Sequence, residues 1–232
     1  MKFLSLSGSM LVIIMGIWLV VCSPSTMNTN DQISYLALGD SYTIGESVGD
    51  DERYPVQLTE ALRSRGIDML DPVVIATTGW TTLDLKSAMD NANLEGRTFD
   101  LVSLLIGVND QYQGKIFEEY GPNFRMLLRS AIALAGGNPE KVFVISIPDY
   151  AFTPFGQQRN TEKITRELNA YNATNKLIAD QYNVSYFDIT PISRLGLEDP
   201  TLVATDGLHP SAEMYKRWVQ SLIDDVYKKL TR

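Results

Sequence analysis

Ser41 ends a mostly apolar run, Ile33 to Leu38, that stops at Gly39-Asp40-Ser41. A serine becomes a nucleophile only where a base can take its proton. The chain has one histidine, in Asp206-Gly207-Leu208-His209-Pro210. So there is one candidate imidazole base, His209, with a carboxylate, Asp206, three residues before it. A serine, a histidine and an aspartate together can run nucleophilic attack on a carbonyl, the aspartate orienting the imidazole and stabilising its charged form. Two more positions carry small or polar groups suited to acyl transfer: Gly79 in Thr78-Gly79-Trp80, and Asn109 in Gly107-Val108-Asn109-Asp110. Each has a plainer reading. Ser41, Gly79 and Asn109 are all turn formers, a lone histidine is more often structural, and Asp206 can simply brace its loop.

The elements that must position these residues alternate along the chain. After the first strand comes a loop, Tyr42 to Arg53. Tyr54-Pro55 opens a helix with proline at its start, closed by Gly66, with Leu58, Ala61 and Leu62 inward. Pro72 to Thr77 reads as a second strand. Thr82 to about Asn91 reads as a weaker helix with Leu83, Leu85 and Met89. Leu101 to Ile106 is a third strand. A helix follows from about Pro122 to Ala135, again with proline in its first turn. Its inner face is Phe124, Leu127, Leu128, Ala131 and Leu134. Lys141 to Ile147 is a fourth strand and Ala151 to Arg159 a loop. Thr161 to Tyr182 is a helix, Val184 to Ile189 a fifth strand, and Ser211 to about Leu230 the last helix. Alternating strands and helices predict an α/β fold, a three-layer α/β/α sandwich around a five-stranded parallel sheet of flavodoxin-like type. In such sheets ligands bind beyond the carboxyl ends of the strands. That edge is where Ser41, Gly79 and Asn109 fall.

Bulk properties bound the rest. With 232 residues, 44% hydrophobic and 21% charged, the chain has the material for one globular domain. Its net charge of -8 repels phosphate backbones, and no basic run offsets it, which argues against nucleic-acid binding. One cysteine and one histidine rule out an internal disulfide and a zinc site of the Cys/His type. There is no Gly-x-x-x-x-Gly-Lys loop for phosphoryl transfer. Asn172-Ala173-Thr174 and Asn183-Val184-Ser185 match the glycosylation sequon by chance in this reading.

Residues 1–22 read as a leader, 23–31 as a polar tether, and 32–232 as the domain. Met10 to Val21 is an apolar core of signal-peptide length. It runs into Leu19-Val20-Val21-Cys22, which resembles the lipobox of bacterial lipoproteins, with Cys22 as the lipidated residue. An uncleaved anchor is the alternative, because residues 3–22 carry no charge. Ordinary secretion is a third. All three put the domain outside the cytoplasm, and the first two tether it to a membrane of the cell envelope.

Gly39-Asp40-Ser41, Gly79, Gly107-Val108-Asn109-Asp110 and Asp206-Gly207-Leu208-His209 resemble, in order, the four blocks of the SGNH, or GDSL, hydrolase superfamily. The resemblance spans roughly residues 33–228. It implies a serine esterase with Ser41 as nucleophile, His209 as base and Asp206 as its partner. It implies an oxyanion hole from the N–H of Ser41, the N–H of Gly79 and the side chain of Asn109. It implies no metal and no organic cofactor, and a small-molecule, glycan or lipid ester as substrate. Carboxylic esters, including lysophospholipids, are the first expectation. A carbohydrate O-acetylesterase is the alternative, and a non-catalytic binding protein on the same fold is the rival of another class. The Gly-x-Ser-x-Gly elbow of α/β-hydrolases is absent. Tyr42 and Trp80 depart from the family pattern. With Phe152 and Phe155 they either line an acyl or sugar pocket or pack as core. Asp40 and Asp110 are expected to brace the site through hydrogen bonds.

Overall fold

Five short strands form one parallel sheet. They are β1 (Tyr35–Gly39), β2 (Val73–Ala76), β3 (Leu101–Leu105), β4 (Val142–Ile145) and β5 (Ser185–Phe187), in the order β2-β1-β3-β4-β5. The computed structural model describes residues 32–231. The leader, the tether and the expected lipidation site at Cys22 lie outside the described residues. Every residue of β1, β3 and β4 is buried, which is why these strands read as continuous apolar runs rather than alternating ones. One sheet face carries Tyr35 and Ser103, whose hydroxyls meet at 2.7 Å; Tyr54 joins them at 3.1 Å from Ser103. Tyr54 opens helix α2 (Tyr54–Ser64), which packs against the last helix, α8 (Ala212–Leu230). The other layer is α3 (Thr82–Asn91), α5 (Phe117–Leu134) and α6 (Thr161–Gln181), with α5 against β3 and α6 against β4 and β5. The expected α/β/α sandwich is therefore present.

The strand ends differ from expectation in useful ways. The segment after β1 begins not as a loop but as one turn of helix, α1 (Ser41–Ile44), capped by Asp40. A second short helix, α4 (Val108–Tyr112), follows β3. Gly39 lets α1 start so close to the sheet. A Cβ there would overlap the Thr43 hydroxyl and the Leu105 carbonyl, and the carbonyl belongs to a strand that cannot yield.

Two helix expectations are corrected. α5 starts at Phe117, so Pro122 sits inside it rather than in its first turn. Glu118 and Glu119 favour the earlier start at the positive end of the helix dipole. The carbonyl that Pro122 leaves unbonded is that of Glu118, and both residues are exposed, where water satisfies it. In α3, Leu83 faces out, 55% exposed. The buried stripe is Thr82, Leu85 and Met89. The expected loop at 151–159 is built of tight turns, Tyr150–Phe152 and Gly156–Gln158. The segment before His209 includes a short helix, α7 (Thr190–Ser193). Asn172 is buried with its amide bonded to both the N–H and the carbonyl of Ile147, so that sequon serves packing. Among the described residues no helix is long and apolar enough to cross a membrane.

Candidate active site

The carboxyl edge of the sheet gathers the expected residues. Ser41, Gly79, Asn109 and His209 line one cavity of about 250 Å³. β1 delivers Ser41 at the start of α1, where its N–H precedes the helical hydrogen-bond ladder. Gly79 follows β2 with φ +86. Beyond its own chain neighbours, no protein atom lies within 4 Å of where its Cβ would be, so glycine is required there by the backbone conformation and not by crowding. Among the described residues, neither the Ser41 N–H nor the Gly79 N–H is bonded to another group. Unpaired main-chain donors on residues that line a cavity are what a developing oxyanion needs.

The loop carrying Gly79 is held by α4. Asn109 Nδ2 donates to the Trp80 carbonyl at 3.0 Å, and Gln113 Nε2 donates to the Gly79 carbonyl at 3.0 Å. Asp110, next to Asn109, accepts from the N–H and the hydroxyl of Thr82 at 2.9 and 2.6 Å. Asp40 accepts from the Tyr42 N–H at 3.1 Å. Both aspartates brace the site as expected. Burial pushes the Asp40 carboxyl up to about 8, against the pull of the Tyr42 N–H, and the charge of Asp110 adds to the rise. Burial also raises Asp110.

His209 is buried at the cavity wall. Its Nδ1 meets Asp206 Oδ2 at 2.6 Å. Asp206 Oδ1 accepts the N–H of Leu208 at 2.8 Å and of His209 at 3.0 Å. The three-residue spacing thus closes a turn that fixes the carboxylate against its own histidine. Partial burial pushes Asp206 up, but the bonds from His209, Leu208 and Ser47 outweigh it and hold the carboxyl at about 2. The segment is pinned from outside by the Ala204 N–H on the His209 carbonyl, 2.8 Å, and the Phe155 N–H on the Gly207 carbonyl, 2.9 Å. The Tyr42 ring stands edge-on to the imidazole, centroids 5.6 Å apart.

Apolar side chains make the rest of the cavity: Val108, Tyr112, Tyr150, Phe155 and Leu208. Tyr150 donates to Gln111 at 2.9 Å, and Gln111 donates to Glu167 at 2.8 Å, so this wall is stiffened from behind. Of the aromatic residues in doubt, Tyr42 and Phe155 line the cavity. Phe152 lines a separate groove. Trp80 gives its carbonyl to Asn109 and packs its side chain on the core. The sequence offered no sign of Tyr112, Tyr150 or Gln113 at the site, nor of Ser47.

The sequence profile of the GDSL-like lipase/acylhydrolase family matches residues 37–217, most of the chain. The chain belongs to this family. As a GDSL hydrolase it is a carboxylic ester hydrolase. Solved structures share the fold at low identity. A psychrotrophic esterase, EstA from Pseudoalteromonas sp., superposes with a TM-score of 0.65 at 17% identity, over 86% of this chain and 99% of that one. The acetylxylan esterase Axe2 from Geobacillus stearothermophilus gives 0.63 at 22%, over 84% and 96%. A lipase/acylhydrolase from Enterococcus faecalis gives 0.63 at 20%, over 85% and 96%. No curated protein matches the sequence.

Proposed function

We propose that this GDSL hydrolase is a serine esterase working through an acyl-enzyme on Ser41. The observation that carries the reading is the convergence of Ser41, His209, Gly79 and Asn109 on one cavity, with Asp206 bonded behind the imidazole. His209 takes the Ser41 proton as Oγ attacks the ester carbonyl. The carbonyl oxygen takes the negative charge, faced by the N–H groups of Ser41 and Gly79 and the Asn109 amide. The C–O bond to the alcohol then breaks and His209 returns the proton to the leaving oxygen. Water repeats the sequence on the acyl-enzyme and releases the acid. Asp206 stays ionised throughout and stabilises the imidazolium.

The cavity supports a small to medium acyl group. Tyr112 favours a second reading, an O-acetylesterase on glycans. It is 51% exposed at the cavity, and an exposed aromatic face suits a sugar ring. The leader supports a tethered location in the cell envelope for either substrate.

The test is hydrolysis of p-nitrophenyl acetate and octanoate by the protein and by Ser41→Ala, with fluorophosphonate labelling of both. Turnover and labelling that vanish in Ser41→Ala are expected, and the acetate-to-octanoate ratio chooses between the substrates. Wild-type protein that neither turns over nor labels overturns the reading and favours a binding protein on this fold.

A further inference from the structure

The turn after α1 reaches both halves of the site. The N–H groups of Gly45 and Glu46 both bond to the Ser41 carbonyl, at 3.1 and 3.0 Å, so this turn hangs from the nucleophile itself. Glu46 then accepts a hydrogen bond from the hydroxyl of Thr78, the residue before Gly79. Ser47 Oγ donates to Asp206 Oδ2 at 2.7 Å, the same oxygen that meets His209 Nδ1. Ser47 adopts φ +69, left-handed backbone that glycine and asparagine enter most easily. It is exposed, so packing does not demand its side chain. A serine held there against backbone preference points to a use for its hydroxyl.

We propose that Ser47 is a positioning residue for the Asp206–His209 pair, and that the Gly45–Ser47 turn sets the base relative to the nucleophile. This rests on the esterase reading given above. Among the described residues Asp206 has four donors, and three come from its own turn: the N–H of Leu208, the N–H of His209 and the imidazole. The fourth, Ser47, comes from elsewhere, 159 residues away in sequence. The internal bonds fix the carboxylate to its histidine. They do not fix that unit to Ser41. Ser47 does, because the residue before it, Glu46, bonds through its N–H to the Ser41 carbonyl. Glu46 ties the Gly79 loop to the same point, so nucleophile, base and oxyanion donor share one reference.

Two variants of the full chain separate positioning from stability. Ser47→Gly removes the hydroxyl and relaxes the backbone. Ser47→Thr keeps the hydroxyl and strains the backbone further through its branched Cβ. His209 is the one histidine in the chain, so protein labelled with ¹⁵N-histidine gives a single Nδ1–H resonance. Expected for Ser47→Gly are a Tm at or above wild type, a shifted or broadened Nδ1–H resonance, and a kcat about tenfold lower with KM within about twofold. Expected for Ser47→Thr are a lower Tm with the resonance and kcat closer to wild type. An Nδ1–H resonance in Ser47→Gly that superimposes on wild type, with kcat unchanged, overturns the proposal. Wild-type protein without Ser41-dependent turnover overturns the esterase reading instead, and the resonance comparison still decides whether Ser47 holds the pair.

Discussion

Asn109 Nδ2 donates to the Trp80 main-chain carbonyl at 3.0 Å. A primary amide has two N–H donors, so this bond fixes the plane of the second while the side chain lines the cavity. The same contact ties α4, which follows β3, to the loop after β2. Asn109→Ala should therefore lose an oxyanion donor and loosen the Gly79 loop together. We expect kcat to fall on the order of 10²–10³ with the fold intact by circular dichroism. A loss under fivefold would remove Asn109 from the oxyanion hole.

Gly79 gives a cleaner test of the same hole. Its φ of +86 is costly for any side chain, yet the space beside it is empty. Gly79→Ala should cost on the order of 1–2 kcal/mol, a few degrees of Tm for a domain of this size. Kinetically, kcat should drop at least tenfold as the N–H turns from its place. If melting falls while kcat holds, the glycine is a turn and no more.

Asp40 predicts a stability that depends on pH. Its carboxyl stands at about 8 when folded, against 3.8 unfolded. Between those values the folded chain holds a proton that the unfolded chain has lost, so stability falls as pH rises from about 4 through 8. Asp40→Asn keeps a neutral acceptor for the Tyr42 N–H and cannot ionise. Its Tm relative to wild type should climb between pH 5 and pH 9. Parallel melting curves across that range would show that Asp40 does not carry the proton. Asp206 runs the opposite way. Held at about 2 when folded, it contributes stability above the unfolded value of 3.8, lost as pH falls through about 2.

Phe155 predicts the choice of acyl group. Its ring lines the cavity beneath the Arg159 guanidinium, 3.5 Å from the ring centroid. Its N–H bond to Gly207 is main-chain and survives substitution. Phe155→Ala should lower kcat/KM for p-nitrophenyl octanoate about tenfold, the scale of one lost apolar contact, and leave acetate within about twofold. Equal losses on both esters would make Phe155 a support for the His209 segment rather than a wall for the acyl chain.

What the sequence revealed followed local rules. The apolar run into Gly39-Asp40-Ser41 foretold a buried strand and a serine at its end, because a strand buried on both faces needs no alternation. Asp206 and His209 were legible as a pair because their contact closes within one turn. The start of α5 was misplaced because Pro122 obeys a first-turn preference that an exposed position can break. Leu83 was turned outward because Thr82, bonded to Asp110, takes the inner position on α3. Ser47 had no local signature, since its partner lies on the far side of the chain. Tyr112 and Tyr150 were invisible for another reason: an aromatic at a cavity and one in a core look alike until the fold places them.

The packing of α2 on α8 also has a temporal meaning. Gln57 of α2 donates to the Ala212 carbonyl at the head of α8 at 3.0 Å, close after His209 in sequence. Ser41 and Gly79 are synthesised in the first half of the chain, His209 almost last. A chain still being made, or one clipped between β5 and Asp206, carries Ser41 without His209. The cavity that Ser41 and His209 line is therefore completed only when the last part of the chain has been added.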